Sequence, residues 1–299
     1  MYELSPASFE RYIEVFGGGG WVLFGRLPDP KVMEVYNDFN SNLTNLYACV
    51  KNHPMEFLRQ LGFLPLNGRD EFLVLRRFLE GQEFNRTFLA QELELARHNL
   101  PLMEFEELRS LLLERAAPGD VQRAAAFYKV IRYSYGSGCT SFGCQPFDVR
   151  KTFYLIWQAA DRLANTVIEN KDFEALIRQY DRENAFLYCD PPYFMTEDHY
   201  EVEFPRQDHV RLRETLAGCQ GKWMVSYNDC DYIRGLYEGC HITAVSRINN
   251  LAQRYDRGCE FPEVIITNYD PQERKKWGPQ QMNLFSAGLL GGETEDGRN

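Results

Sequence analysis

An interrupted alternation of strand-like and helix-like segments constrains this chain more than any other feature. Two strand-like runs come early, Tyr12 to Phe16 in "YIEVF" and residues 31–38 in "KVMEVYND". The pattern resumes with "NTVIENKDF" from Asn165, then "AFLYCD", "KWMVSYND", "HITAVSRI" and "EVIITNYD", with the helical "DHVRLRETLAGC" among them. Strands alternating with helices argue for an α/β sheet with parallel pairing. Residues 55–164 break the alternation. In "EFLVLRRFLEG" and "FEELRSLLLERAAPGD" apolar residues recur every three or four positions and stop at Gly or Pro-Gly. The expected organisation is a discontinuous sheet domain, residues 1–54 and 165–275, with 55–164 inserted as a helical domain. The small, polar and acidic residues 276–299 are expected to form a flexible tail.

Charge and cysteine usage narrow the function classes. A net charge of −10 over 299 residues excludes coating nucleic acid through bulk positive charge. No apolar run approaches the length of a membrane span, and "MYELSPASFERY" lacks the basic start and apolar middle of a signal peptide. Eight cysteines without a CxxC pair read as reduced thiols of a cytoplasmic protein, with no structural metal expected. From Val121 to Arg162, however, Arg123, Lys129, Arg132, Arg150, Lys151 and Arg162 face only Asp148 and Asp161. Such a basic island can be a local phosphate-binding face; on charge alone a solvated helix surface is the plainer reading.

Two short segments carry chemistry. Gly17 to Gly20 follow a strand and open a helix, where the lack of a Cβ lets a ligand approach the backbone closely. Asp38 ends the next strand about twenty residues on, the place from which such folds hydrogen-bond ribose hydroxyls. Nothing nearby resembles a Walker lysine, so a nucleoside fits better than a nucleoside triphosphate; the bland alternative is a tight turn. The second segment is "NAFLYCDPPYF". Pro191 and Pro192 can neither continue a strand nor donate hydrogen bonds, and Pro191 biases Asp190 towards extended backbone. The result is a rigid arm offering a carboxylate, free carbonyls and the face of Tyr193. An exocyclic purine amine is a poor nucleophile because its lone pair is delocalised into the ring. Two acceptors aimed at its N–H bonds, Asp190 and the Pro191 carbonyl, would favour pyramidalisation and stabilise the developing positive charge. Tyr193 could stack on a base turned into the site. The alternative is a proline turn with an exposed Asp.

In order and content these segments resemble the Dam-like alpha group of DNA adenine-N6 methyltransferases, especially phage and restriction-associated members, over most of the chain. "EVFGGGG" resembles that group's cofactor loop, which implies cofactor contacts from Glu14, Phe16, Gly17, Gly18 and Gly20. "YNDFNSNLTNLY" resembles the next motif and implies that Asp38 holds the ribose of S-adenosylmethionine. "ENKDF" resembles the segment contacting the cofactor adenine, through the Asp172 side chain and the Phe173 backbone. "LYCDPPY" resembles the catalytic motif, implying catalytic roles for Asp190, Pro191, Pro192 and Tyr193. "GKWMVSYND" and "PEVIITNYD" match later strands of the group.

The resemblance implies a Rossmann-like S-adenosylmethionine-dependent methyltransferase fold: a seven-stranded mixed sheet with helices on both faces and an inserted helical domain that reads double-stranded DNA. The basic, aromatic stretch 121–151 is then the candidate DNA contact, with Arg132 and Tyr135 gripping phosphates or wedging the duplex open. The expected activity is site-specific methylation of a flipped-out adenine at N6. A non-catalytic DNA-binding protein of the same fold and an RNA-directed methyltransferase are the alternatives. Two departures stand out. The group's Gly-Gly-Lys segment, which helps hold the methionine end of the cofactor, is not among the thirteen residues before Glu14, so a weak cofactor grip, or one replaced from elsewhere, is expected. Val15 also stands where proline is common. Finally, "QMNLF", Gln281 to Phe285, resembles the peptide by which bacterial proteins dock on the replication sliding clamp; alternatively Leu284 and Phe285 fold back on the catalytic domain.

Overall fold

The computed structural model describes residues 2–63, 68–80, 94–95, 97–99, 101–102, 105–106, 120–135, 139–143, 148–194, 204–248 and 260–272. Seven strands form one sheet: β1 (Arg11–Glu14), β2 (Met33–Asn37), β3 (Thr166–Glu169), β4 (Ala185–Cys189), β5 (Lys222–Asn228), β6 (His241–Ile248) and β7 (Glu260–Thr267). Their order is β3-β2-β1-β4-β5-β7-β6. The first five strands run parallel, and β7 lies antiparallel between β5 and β6. This is the mixed seven-stranded arrangement expected from the sequence. From β1 the chain winds through β2 and β3 to one side, then crosses to β4 and β5 on the other. The sheet's switch point therefore lies between β1 and β4, where open α/β sheets hold their ligands.

Both faces are covered, which is why β4 reads as the unbroken apolar run "AFLYC". Tyr12, Tyr36, Phe186, Tyr188, Met224 and Ile265 point to one face, into a core with α1 (Trp21–Gly25), α2 (Ser41–Asn52), α3 (Pro54–Phe63), α5 (Val121–Tyr133) and α6 (Phe153–Leu163). Ile13, Val35, Leu187, Val225, Tyr227 and Ile266 point to the other, against α7 (Phe173–Tyr180), α8 (Arg206–Ala217) and α9 (Asp231–Leu236). The described helices of the 55–164 stretch thus continue the core of the sheet: Phe57, Leu61, Phe127, Ile156 and Leu163 are buried beside Tyr12 and Tyr36. A satellite cluster of Phe72, Val130 and Tyr133 joins α4 (Arg69–Leu79) to α5. Local signals set the helix starts. Asn40 accepts from the N–H groups of Asn42 and Leu43 to open α2, and Asp120 does the same for Gln122 and Arg123 at α5.

The basic island comes apart in three dimensions. Lys129 is 1% exposed on the packed side of α5, and burial lowers its pKa to about 8. Arg162 makes a two-pronged ion pair with the buried Glu34 of β2 (2.5 and 2.8 Å) and donates to the Leu23 carbonyl (2.7 Å). Arg123 donates to the side chains of Asn42 and Ser41, and Arg150 pairs with Asp148. Lys129 and Arg162 are structural, so neither a phosphate-binding face nor a solvated surface describes them. Arg132 and Tyr135 are exposed. No helix among the described residues is long and apolar enough to cross a membrane.

Candidate active site

The glycine run is shaped by its neighbour strand. β1 ends at Glu14, and the chain folds across the tip of β2, where the Gly17 N–H donates to the Asn37 carbonyl (2.7 Å). A Cβ on Gly17 would lie 2.2 Å from the Tyr36 ring, whose hydroxyl donates to the Gly18 carbonyl (2.7 Å). Gly18 and Gly20 adopt positive φ (47° and 65°), which favours glycine. The Gly18 N–H donates to Asp38 Oδ2 (2.9 Å), and Asn40 N–H to Asp38 Oδ1 (2.7 Å). Strand end and glycine loop are therefore joined directly. Burial raises the Asp38 pKa, and these two N–H groups oppose the rise. Among the described residues, nothing lies within 4 Å of the position a Gly18 Cβ would take.

Asn37 ties in the third strand end. Its amide donates to the carbonyls of Val15 (2.9 Å) and Lys171 (3.1 Å), and its carbonyl accepts from the Lys171 N–H (2.8 Å). Asp172 follows, capping α7 through the Glu174 N–H while Arg211 of α8 grips both its oxygens (2.9 and 3.1 Å). The same guanidinium lies 4.1 Å from the Phe173 ring centroid. Phe16, Phe173 and Phe204 form a triangle of rings with centroids 5.5–5.7 Å apart.

The proline arm leaves β4 beside this loop, because Glu14 pairs in register with Tyr188 and the Val15 N–H donates to the Tyr188 carbonyl (2.9 Å). Asp190 is exposed, Pro191 buried, and Pro192 and Tyr193 half-buried. Ser226 Oγ lies 2.6 Å from Asp190 Oδ1, and the Tyr188 hydroxyl lies 3.2 Å from Ser226 Oγ. The Asn228 amide holds the Phe194 carbonyl (3.1 Å), and the Phe194 ring stacks on Tyr232 at 4.3 Å. Tyr193 packs beside Tyr227 (6.4 Å), whose hydroxyl meets His209 Nδ1 at 2.8 Å. Beneath the loop, Glu14 is 2% exposed. Burial raises its pKa to about 8, and the nearby Asp190 adds to the rise. The Tyr12 hydroxyl, 2.8 Å away, pulls the other way.

The parallel strands thus bring Glu14, Phe16, Gly17, Gly18, Gly20, Asp38, Asp172, Phe173 and the segment Asp190 to Tyr193 to the C-terminal ends of β1, β2, β3 and β4. All lie along the C-terminal edge of the parallel strands, with the glycine loop and the Asp190 arm flanking the switch point between β1 and β4. The profile of the D12 class N6 adenine-specific DNA methyltransferase family matches residues 2–251. The chain belongs to this family. It is also similar to the type II methyltransferase M1.LlaDCHI of Lactococcus lactis subsp. cremoris, with 24% identity over 89% of each chain. Similarity to the type II methyltransferase M.MjaIII of Methanocaldococcus jannaschii is 27% identity over 89% of this chain and 91% of that one. Type II methyltransferase M.CviBI of Paramecium bursaria Chlorella virus NC1A matches 39% of this chain at 27% identity.

As a D12-class DNA adenine methyltransferase, the chain acts on DNA and requires a methyl donor. Four side chains of its sheet edge, Asn37, Phe204, Arg211 and Ser226, escaped sequence reasoning. Each works across a long sequence separation, although Asn37, Arg211 and Ser226 lie within "YNDFNSNLTNLY", "DHVRLRETLAGC" and "GKWMVSYND". Ser226 and Asn228 alternate with the apolar residues of "KWMVSYN", a signal that one strand face changes from core to site near its end. Arg132 and Tyr135 stand elsewhere, on the surface at the C-terminal end of α5. Residues 281–285 lie outside the described residues.

Proposed function

We propose that this methyltransferase moves the methyl group of S-adenosylmethionine to N6 of an adenine turned out of duplex DNA, with Asp190 and the Pro191 carbonyl as the acceptors for the amine. One observation carries the reading: an exposed carboxylate on a proline-stiffened arm leaves β4 directly beside the glycine loop of β1.

The residues present fit the donor. Asp38 keeps a second lone pair on each oxygen for ribose hydroxyls. The half-buried Phe16 ring, the Phe173 backbone and the Asp172 carboxylate suit an adenine that offers both a flat face and an amine. Asp38 and Asp190 make the edge acidic, which suits a cation, while Glu14 beneath the loop holds its proton near neutral pH. When bound, S-adenosylmethionine supplies an electrophilic methyl group on a sulfonium sulfur. The chain's own work is orientation. Tyr193 stacks on the target base, while Asp190 and the Pro191 carbonyl each take one N–H of its amine. With both protons held, the nitrogen lone pair leaves conjugation and turns towards the methyl donor, and the carboxylate stabilises the charge that develops on nitrogen.

Recognition of the duplex is assigned to residues 55–164, with Arg132 and Tyr135 as contacts from the end of α5; Gln281 to Phe285 would dock on the sliding clamp. The test of the chemistry is Asp190→Ala, assayed by mass spectrometry of N6-methyladenine in digested DNA. Turnover should fall at least about 100-fold, while DNA affinity stays near wild type. Methylation at the wild-type rate would sink the proposal.

A further inference from the structure

Two hydroxyls stand behind Asp190, and the reaction as described leaves them unused. β4 and β5 pair Tyr188 with Met224 and Cys189 with Val225, so Asp190 and Ser226 come next in line. Ser226 is 3% exposed. Its Oγ lies 2.6 Å from Asp190 Oδ1 and 3.4 Å from the Cys189 carbonyl. A hydroxyl has one hydrogen to give, and an ionised carboxylate only accepts. The short, charge-assisted contact therefore takes the Ser226 hydrogen. Ser226 Oγ is left as an acceptor, and the Tyr188 hydroxyl, 3.2 Å away, is the group that donates to it. Burial, with the charge of Asp190 next in weight, pushes the Tyr188 pKa far above its ordinary value, so the phenol keeps the proton it donates. The result is a directed chain from Tyr188 to Ser226 to Asp190.

An aspartate on an exposed rim has a broad, weakly defined terminal torsion. Methyl transfer needs the opposite, a carboxylate waiting in one orientation for the target amine. We propose that Ser226, backed by Tyr188, is a positioning residue for the methyl transfer: it locks the rotation of the Asp190 carboxylate so that the amine meets an acceptor already aimed. The inference rests on Asp190 being that acceptor.

Single-turnover rates at saturating S-adenosylmethionine and DNA, with the affinity for each and the melting temperature, test it across four variants. Ser226→Ala should slow the methyl-transfer step roughly 10- to 100-fold with both affinities unchanged. Ser226→Thr, which keeps the hydroxyl, should recover most of the rate, and Tyr188→Phe should be slowed less than Ser226→Ala. A loss of packing alone would lower the melting temperature without splitting rate from affinity and without rescue by threonine. Wild-type rate in Ser226→Ala, or Ser226→Thr as slow as Ser226→Ala with both folded, overturns the inference. Should Ser226→Ala fail to fold, Tyr188→Phe decides: a slower step with unchanged affinities supports the relay, and an unchanged rate refutes it. Asp190→Ala separates the two readings. If Asp190→Ala is dead and Ser226→Ala normal, only the relay falls; if Asp190→Ala is active, the assignment of the acceptor falls.

Discussion

Gly17 and Tyr36 exclude each other's atoms: a Cβ on Gly17 would sit 2.2 Å from Cε2 of a ring that is fully buried and hydrogen-bonded to the Gly18 carbonyl. The ring has nowhere to go, so Gly17→Ala must displace the loop. Overpacking of this kind costs about 1–3 kcal/mol. Gly17→Ala should melt at a lower temperature and bind S-adenosylmethionine at least about 10-fold more weakly, the equivalent of about 1.4 kcal/mol. Calorimetric affinity equal to wild type would show that the loop is not where the donor lies.

Glu14 gives a pH signature. Its folded pKa of about 8 stands above the unfolded value of 4.5, so the folded chain binds more protons there than the unfolded chain. The associated stability is complete below pH 4.5 and is lost as pH rises through 8. Urea midpoints for wild type should therefore carry a declining component over that window. Glu14→Gln, which keeps an acceptor for Tyr12, should lack it. Parallel profiles for the two proteins would contradict the assignment.

Arg211 should matter to ligand more than to fold. Its side chain is 38% exposed, so its ion pairs with Asp172, Glu174 and Asp208 are screened and contribute little to stability. It nevertheless fixes the Asp172 carboxylate and covers the Phe173 ring. Arg211→Met should leave the melting temperature nearly unchanged while weakening S-adenosylmethionine binding several-fold, measured by calorimetry.

Arg162 and Arg132 should behave as opposites despite the same residue type. Arg162→Ala removes both short contacts of the buried Glu34 and leaves it the longer pairing with Arg26 (3.6 Å); breaking a buried pair costs up to about 3–5 kcal/mol. Arg132→Ala, on the surface, should leave stability alone and lower DNA affinity with a shallower salt dependence. Denaturation and salt-titrated binding of both variants check the contrast. If Arg132→Ala destabilises and leaves binding untouched, the assignment of DNA contact to the end of α5 is wrong.

That contrast also explains what was legible in the sequence. Gly17 to Gly20, Asp38 and the Asp190–Tyr193 arm owe their placement to backbone geometry that neighbouring residues dictate, so a linear reading can locate them on the sheet edge. Periodicity likewise exposes the strands, because a sheet covered on both faces leaves runs such as "AFLYC". Charge counting did worse. Whether Lys129 or Arg162 meets water depends on which side of its helix faces the sheet, and Arg162 is answered by Glu34, far away in sequence. Ser226 and Arg211 are ordinary residues until strand register sets one beside Asp190 and helix packing sets the other beside Asp172. The 55–164 stretch reads as an insertion because it interrupts the strand–helix alternation after the second strand, yet Phe57, Phe127 and Ile156 within it complete the core of the sheet.

β2 and β3 are adjacent and parallel, paired from Glu34 with Thr166 to Asn37 with Glu169, although the whole helical excursion separates them along the chain. The ends of that excursion are anchored: α2, α3 and α6 pack on the sheet, and Arg162 ties its last helix to Glu34. Closing a long loop grows only logarithmically harder with its length. The length of chain between α3 and α5 can therefore change at small cost, while α5 and α6 stay packed on the sheet and its strands keep their register. With duplex reading assigned to residues 55–164, as proposed, a lineage could change which DNA it marks without reinventing how it marks it.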